Sequence, residues 1–182
     1  MCGWAGLLAG ALSERGVCLA TEAVSGCTTV STGWIMQAAL RKHSPRVVVF
    51  GLAPANEGLP FARDNVTAEA IGRHFLRDLR RLADEAAAFP GVRAVVIAGV
   101  YPFGEYEPWQ TRVLHRVAES MRHWPYEVVD FLPQLDDGHG RWRHGLSQST
   151  DWGAHPNSAG YRIMFEAFDV PHLAELAAPS SA

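Results

Sequence analysis

Several features are scarce in this 182-residue chain, and each scarcity removes a class of function. No apolar run reaches about 18 residues, which argues against a membrane-spanning helix. Basic residues form no run and the formal net charge is −3, a poor match to a nucleic-acid binder. The three cysteines, Cys2, Cys18 and Cys27, form no CxxC pair and are odd in number, so reduced thiols are expected rather than a disulfide framework. The glycines spell neither GxGxxG nor a GxxxxGK phosphate loop, which leaves a nucleotide site without support. Repeats and low-complexity segments are also missing. What is present is ordinary for a globular protein: 48% hydrophobic and 19% charged residues, enough chain for one domain with a substantial core. That domain is expected to span residues 1–176, with 177–182 as a polar tail.

The apolar stretch from Gly3 to Leu12 has the look of an export signal. However, no Lys or Arg precedes it, and Ser13-Glu14-Arg15 ends it without a small-residue cleavage site. A surface helix packed on a sheet is the reading adopted. A cytoplasmic location follows, unless the native chain extends upstream with a signal peptide.

Helical and strand patterns alternate along the chain. Trp4, Leu7, Leu8, Ala11 and Leu12 repeat at helical spacing over Trp4–Arg15. Val17–Val24 reads as a short strand closed by Ser25-Gly26, and Gly33–His43 as a helix. Arg46–Leu52 (RVVVFGL) is nearly free of polar residues, the pattern of a strand buried on both faces. Residues 68–89 form a long helix with one charged face, stopped by Pro90-Gly91. Strands follow at 94–100 and 127–131, a helix at 107–123 between them, and a last helix from about Asn157 to Phe168. Such alternation predicts a parallel sheet of about four strands covered on both faces. Ligands in such sheets bind beyond the carboxyl ends of the strands. The segments there are Gly26–Thr29, Gly51–Gly58, Val100–Tyr106 and a long loop from Leu132 to His155.

The chemistry concentrates in Asp151-Trp152-Gly153-Ala154-His155-Pro156-Asn157. A histidine at the mouth of a helix with a carboxylate just ahead of it is a way to hold an imidazole as a general base. The same residues also suit a plain helix start with Asn157 as cap, and Asp151 suits a loop carboxylate bonding backbone N–H groups. Gly26 has two readings as well, a turn needing positive φ or an oxyanion donor. Asn56 either satisfies loop carbonyls or supplies a second donor. Trp142 and Trp152 either pack or flank the cleft.

Taken in order, the Ser-Gly-x-Thr-Thr turn, VVVFGLAPANEG, VVIAGVYPFGEY and DWGAHPNSAGY-x-x-M resemble the SGNH/GDSL hydrolase family of serine esterases and lipases. The resemblance runs from Trp4 to about Ala167, and its His-Pro-Asn block is the most specific part. It implies a three-layer α/β/α flavodoxin-like fold with a parallel sheet. By the same resemblance His155 matches the catalytic base, Asp151 the acid, and Gly26 and Asn56 the oxyanion-binding donors. No cofactor is implied, and no metal. The family opens with a strand ending in Gly-Asp-Ser, whose serine is the nucleophile. Here Met1-Cys2-Gly3 stands where that block should have ended, so the first strand and the serine are expected to be missing. Two further departures are local. Asp151 lies four residues before His155 instead of three, with Trp152 at the usual place of the acid. Pro54-Ala55 lengthen the third block, and Glu57 replaces its final Asp.

Cys27 is a poor substitute nucleophile, because the family's serine comes from a different strand. His139, His144, Asp136 and Asp137 match no defined zinc spacing and read as a solvated loop. Two functions stay open. One is an ester hydrolase acting on small acyl or acetyl esters, inactive without the serine. The other is a non-catalytic binding domain on the same fold. The expected partner is a small-molecule ester, with no nucleic acid and no membrane. An exposed sheet edge left by the missing strand would favour self-association.

Overall fold

The computed structural model describes residues 3–151 and 153–179. Its centre is a three-stranded parallel sheet of β1 (Val47–Phe50), β2 (Ala94–Ala98) and β3 (Glu127–Val129), in the order β1-β2-β3. Because side chains alternate along a strand, each strand feeds two cores. Val48, Phe50, Val95, Ile97 and Val128 face one cluster; Val47, Val49, Val96, Ala98 and Val129 face the other. The first cluster is closed by α2 (Thr29–His43), α3 (Asn65–Ala87) and α4 (Pro108–Arg122). Across the sheet lie α1 (Trp4–Ser13), α6 (Ser158–Glu166) and α7 (Val170–Ala177). This is the three-layer α/β/α arrangement that the strand–helix alternation predicts. A short helix α5 (Leu132–Leu135) and a 3₁₀ turn, Leu59–Phe61, lie in the connections.

The helices start where local chemistry dictates. Asp64 caps α3 by accepting from the Thr67 N–H at 2.7 Å. Thr28 and Ser31 form a reciprocal capping box on α2. Glu107 and Gln110 do the same on α4, where Pro108 supplies a preset φ.

Two expectations are corrected. Val17–Val24 is not a strand, so the sheet has three strands rather than four. The segment is held by side chains instead of a ladder. Val17 and Leu19 pack on the α1/α6 core, and Glu22 meets Lys42 Nζ and His43 Nε2, each at 2.7 Å. The helix expected to be last is followed by another, α7: Asp169 caps it through the His172 N–H, and Val170 and Leu173 are buried.

β1 is an edge. The Arg46 carbonyl accepts from the N–H of Arg93 at 2.7 Å, so Arg46, Val48 and Phe50 turn their polar groups to β2. Val47 and Val49 therefore turn theirs outward, and no hydrogen bond from a loop meets them among the described residues.

Candidate functional site

The loop before α6 closes on itself. Asn157 caps the helix with its Oδ1, accepting from the N–H groups of Ala159 and Gly160. Its Nδ2 donates to the carbonyls of Gly145 and Ser147. The loop is thus pinned from both sides just after His155. The Asp151 Oδ2 lies 2.7 Å from the His155 Nδ1 despite the four-residue spacing. The imidazole is 58% exposed while the carboxylate is 27% exposed, so the ring faces outward from a partly sheltered acid. Asp151 Oδ1 is buried without a donor among the described residues. Trp152, read either as a packing residue or as a flank of the cleft, lies outside the described residues.

A line of phenols leads away from Asp151. Burial, then the Asp151 carboxylate beside it, pushes the Tyr161 pKa up. Burial, with Tyr161 adjacent, pushes Tyr101 up to about 12. Tyr106 is raised further by burial and by Tyr101, and its hydroxyl is buried without a partner among the described residues. The ring of Tyr161 also lies 3.7 Å from where a Cβ on Gly3 would sit. The start of α1 therefore abuts the first turn of α6, which follows the His155 loop. The first residue of that helix covers the end of β1, since a Cβ on Gly51 would meet the Trp4 ring at 2.7 Å.

The proposed oxyanion donors form a second group. Gly26 adopts φ +71 in a turn closed by the Cys27 N–H on the Val24 carbonyl, and its own N–H has no acceptor among the described residues. Asn56 Nδ2 donates to the Cys27 carbonyl at 3.0 Å, which ties the two loops together and leaves its second N–H. Glu57 Oε1 accepts from the Thr29 N–H at 2.6 Å and fixes the start of α2 to the same loop. The structure thus brings Asp151 to His155 and Asn56 to the Gly26-Cys27 turn. Among the described residues no hydrogen bond joins the two groups, and no serine, threonine or cysteine side chain bonds His155.

Asp136 and Asp137 act inside their own loop. Asp137 accepts from the backbone of His139 and Arg141. Asp136 is 8% exposed, accepts from the Gly140 N–H, and lies 2.7 Å from His115 Nε2. The latter pair, 21 residues apart, has no signal in the sequence. It lines a groove of about 650 Å³ beside α4 that contains none of the expected site residues.

The family model for GDSL-like lipase/acylhydrolase matches residues 2–163. The fold resembles the crystal structure of TesA at a TM-score of 0.66 and 24% identity, over 96% of this chain and 88% of that one. It also resembles a GDSL-like lipase from Bacteroides thetaiotaomicron (TM-score 0.63, 17% identity, 96% and 83% covered). A catalytic mutant of Axe2, an acetylxylan esterase from Geobacillus stearothermophilus, gives a TM-score of 0.59 at 18% identity, with 97% and 82% covered. At these identities the likeness to solved structures establishes the fold. No curated protein matches the sequence.

Proposed function

The chain belongs to the GDSL-like lipase/acylhydrolase family, and from that premise we propose that it is the base-and-oxyanion portion of a serine ester hydrolase for small acyl esters. The observation that carries the reading is the 2.7 Å contact between Asp151 Oδ2 and His155 Nδ1. A carboxylate on Nδ1 holds the proton there and leaves Nε2 as the acceptor.

The nucleophile is read as a serine on an apolar strand laid parallel along the outward edge of β1. Two features support this. The outward groups of Val47 and Val49 offer a ladder. Gly3, the N-cap of α1, lies against Tyr161, beside Asp151, and Trp4 covers the end of β1. Such a strand would deliver its last residue near His155.

The serine Oγ attacks the ester carbonyl carbon as its proton passes to His155 Nε2. The Gly26 N–H and the second Asn56 N–H face the developing oxyanion. Collapse expels the alcohol, which takes the proton back from His155. Water then repeats the sequence on the acyl-enzyme and frees the acid.

Among the described residues no hydroxyl or thiol is hydrogen-bonded to His155. The 182-residue chain should therefore bind a short ester but release a chromogenic alcohol at a rate no higher than its His155→Ala variant. Titrating the labelled chain with the ester should shift the amide resonances of Gly26 and Cys27 together with the His155 ring. Hydrolysis by the chain that is lost in His155→Ala would overturn the claim about the nucleophile. Shifts confined to one of the two groups would overturn the shared cleft.

A further inference from the structure

We propose that Trp142 is a positioning residue for the Asp151–His155 pair, and that together with Gly153 it absorbs the additional residue between acid and base. The functional meaning rests on the hydrolase reading; the geometry does not.

A spacing of four instead of three forces a bulge if the carboxylate is still to reach Nδ1. The bulge falls at Gly153, which has φ +74. A side chain is excluded there twice, once by the left-handed backbone and once because a Cβ would lie 2.7 Å from the Cα of Gly104. The bulge is thereby pressed against the loop that follows β2. The Ala154 N–H closes the turn on the Asp151 carbonyl at 3.1 Å.

The carbonyl this bulge turns inward needs a donor. The Trp142 indole N–H supplies it at 2.6 Å, in a buried contact. Among the described residues no other donor to the Gly153 carbonyl is present. Trp142 is itself held firmly. It is 8% exposed, stacks on Tyr101 with ring centroids 5.8 Å apart, and pairs through its backbone with Asp136. Asp136 is fixed in turn by Gly140 N–H and His115. A rigid turn thus presents one N–H to the one carbonyl that the longer spacing creates. Removing that N–H frees the bulge, and with it the geometry that keeps the proton on Nδ1.

The test reads the imidazole directly on the full chain. In ¹⁵N-labelled protein, the Nδ1 and Nε2 shifts of the neutral His155 ring report which nitrogen carries the proton. His155→Gln assigns the signals, and Asp151→Ala shows the pattern without the acid. The parent should show the Nδ1–H form. Trp142→Phe keeps an aromatic ring against Tyr101 while removing the N–H donor and part of the indole volume; its His155 signals should move to the Asp151→Ala pattern. Should that variant lose its fold by circular dichroism, benzothienylalanine in place of Trp142 preserves the ring shape without the N–H and decides the matter. Parent-like shifts in a folded donor-free protein would overturn the proposal. Because no ester or turnover enters the readout, that failure leaves the hydrolase reading untouched, and the reverse also holds.

Discussion

On the proposed reading Asp151 helps to orient His155 by holding Nδ1, so the sharpest predictions at the residue scale concern that pair. In a serine-bearing form, His155→Ala should lower kcat by about 10²–10⁴, the usual worth of a positioned general base. Asp151→Ala should cost less, because the loop around Gly153 and Asn157 still aims the ring. The phenols nearby predict an alkaline limit. Tyr101 is held up to about 12, against an ordinary 10, mainly by burial. A raised folded pKa means the native state keeps a proton that the unfolded chain gives up. That contribution to stability is complete below pH 10 and is lost as pH rises towards 12. Phenolate absorbance and unfolding should therefore rise together across that window, and Tyr101→Phe should flatten the unfolding curve there. Phenolate appearing at ordinary pH without unfolding would contradict the burial.

At the scale of elements, α3 and α4 pack so closely that a Cβ on Gly72 would lie 2.6 Å from the Val113 Cγ1. Gly72→Ala should destabilise by about 1–3 kcal/mol through overpacking, more than any gain in helix propensity returns; thermal unfolding measures it. The segment 17–24 is tied by Glu22, whose pKa is lowered to about 2, first by hydrogen bonds from Lys42 and His43. A depressed carboxylate stabilises above its ordinary 4.5 and lets go as pH falls towards 2. Amide exchange in residues 17–24 should accelerate over that acid range, and Glu22→Gln should remove the pH dependence.

The same segment shows where the sequence was legible. Buried strands such as RVVVFGL carry their own signature, because both faces are covered. Val17–Val24 has strand composition too, but a strand exists only with a neighbour, and pairing is not written in one segment. α7 was hidden for a similar reason: eight residues with a proline near the start form a helix here because Asp169 caps it and a core receives Val170 and Leu173. The contact of His155 with Asp151 was readable from local order. The Trp142 clamp and the His115–Asp136 contact were not, since both join distant parts of the chain.

For the whole molecule, the predictions concern the side of β1 that no strand meets among the described residues. Unpaired strand edges recruit other strands, so the chain should self-associate as its concentration rises. Val49→Pro removes an outward N–H without touching the ladder to β2, a substitution edge strands tolerate. It should give a folded, monomeric protein by size-exclusion chromatography; undiminished association would place the contact elsewhere. The decisive experiment is alcohol release from a chromogenic short-chain ester by the chain joined, ahead of Met1, to an apolar strand ending in Gly-Asp-Ser, beside its serine-to-alanine partner. Hydrolysis should require the serine and be lost again on introducing His155→Ala or Val49→Pro. Equal rates from the serine and alanine forms would rule out a serine nucleophile on that strand.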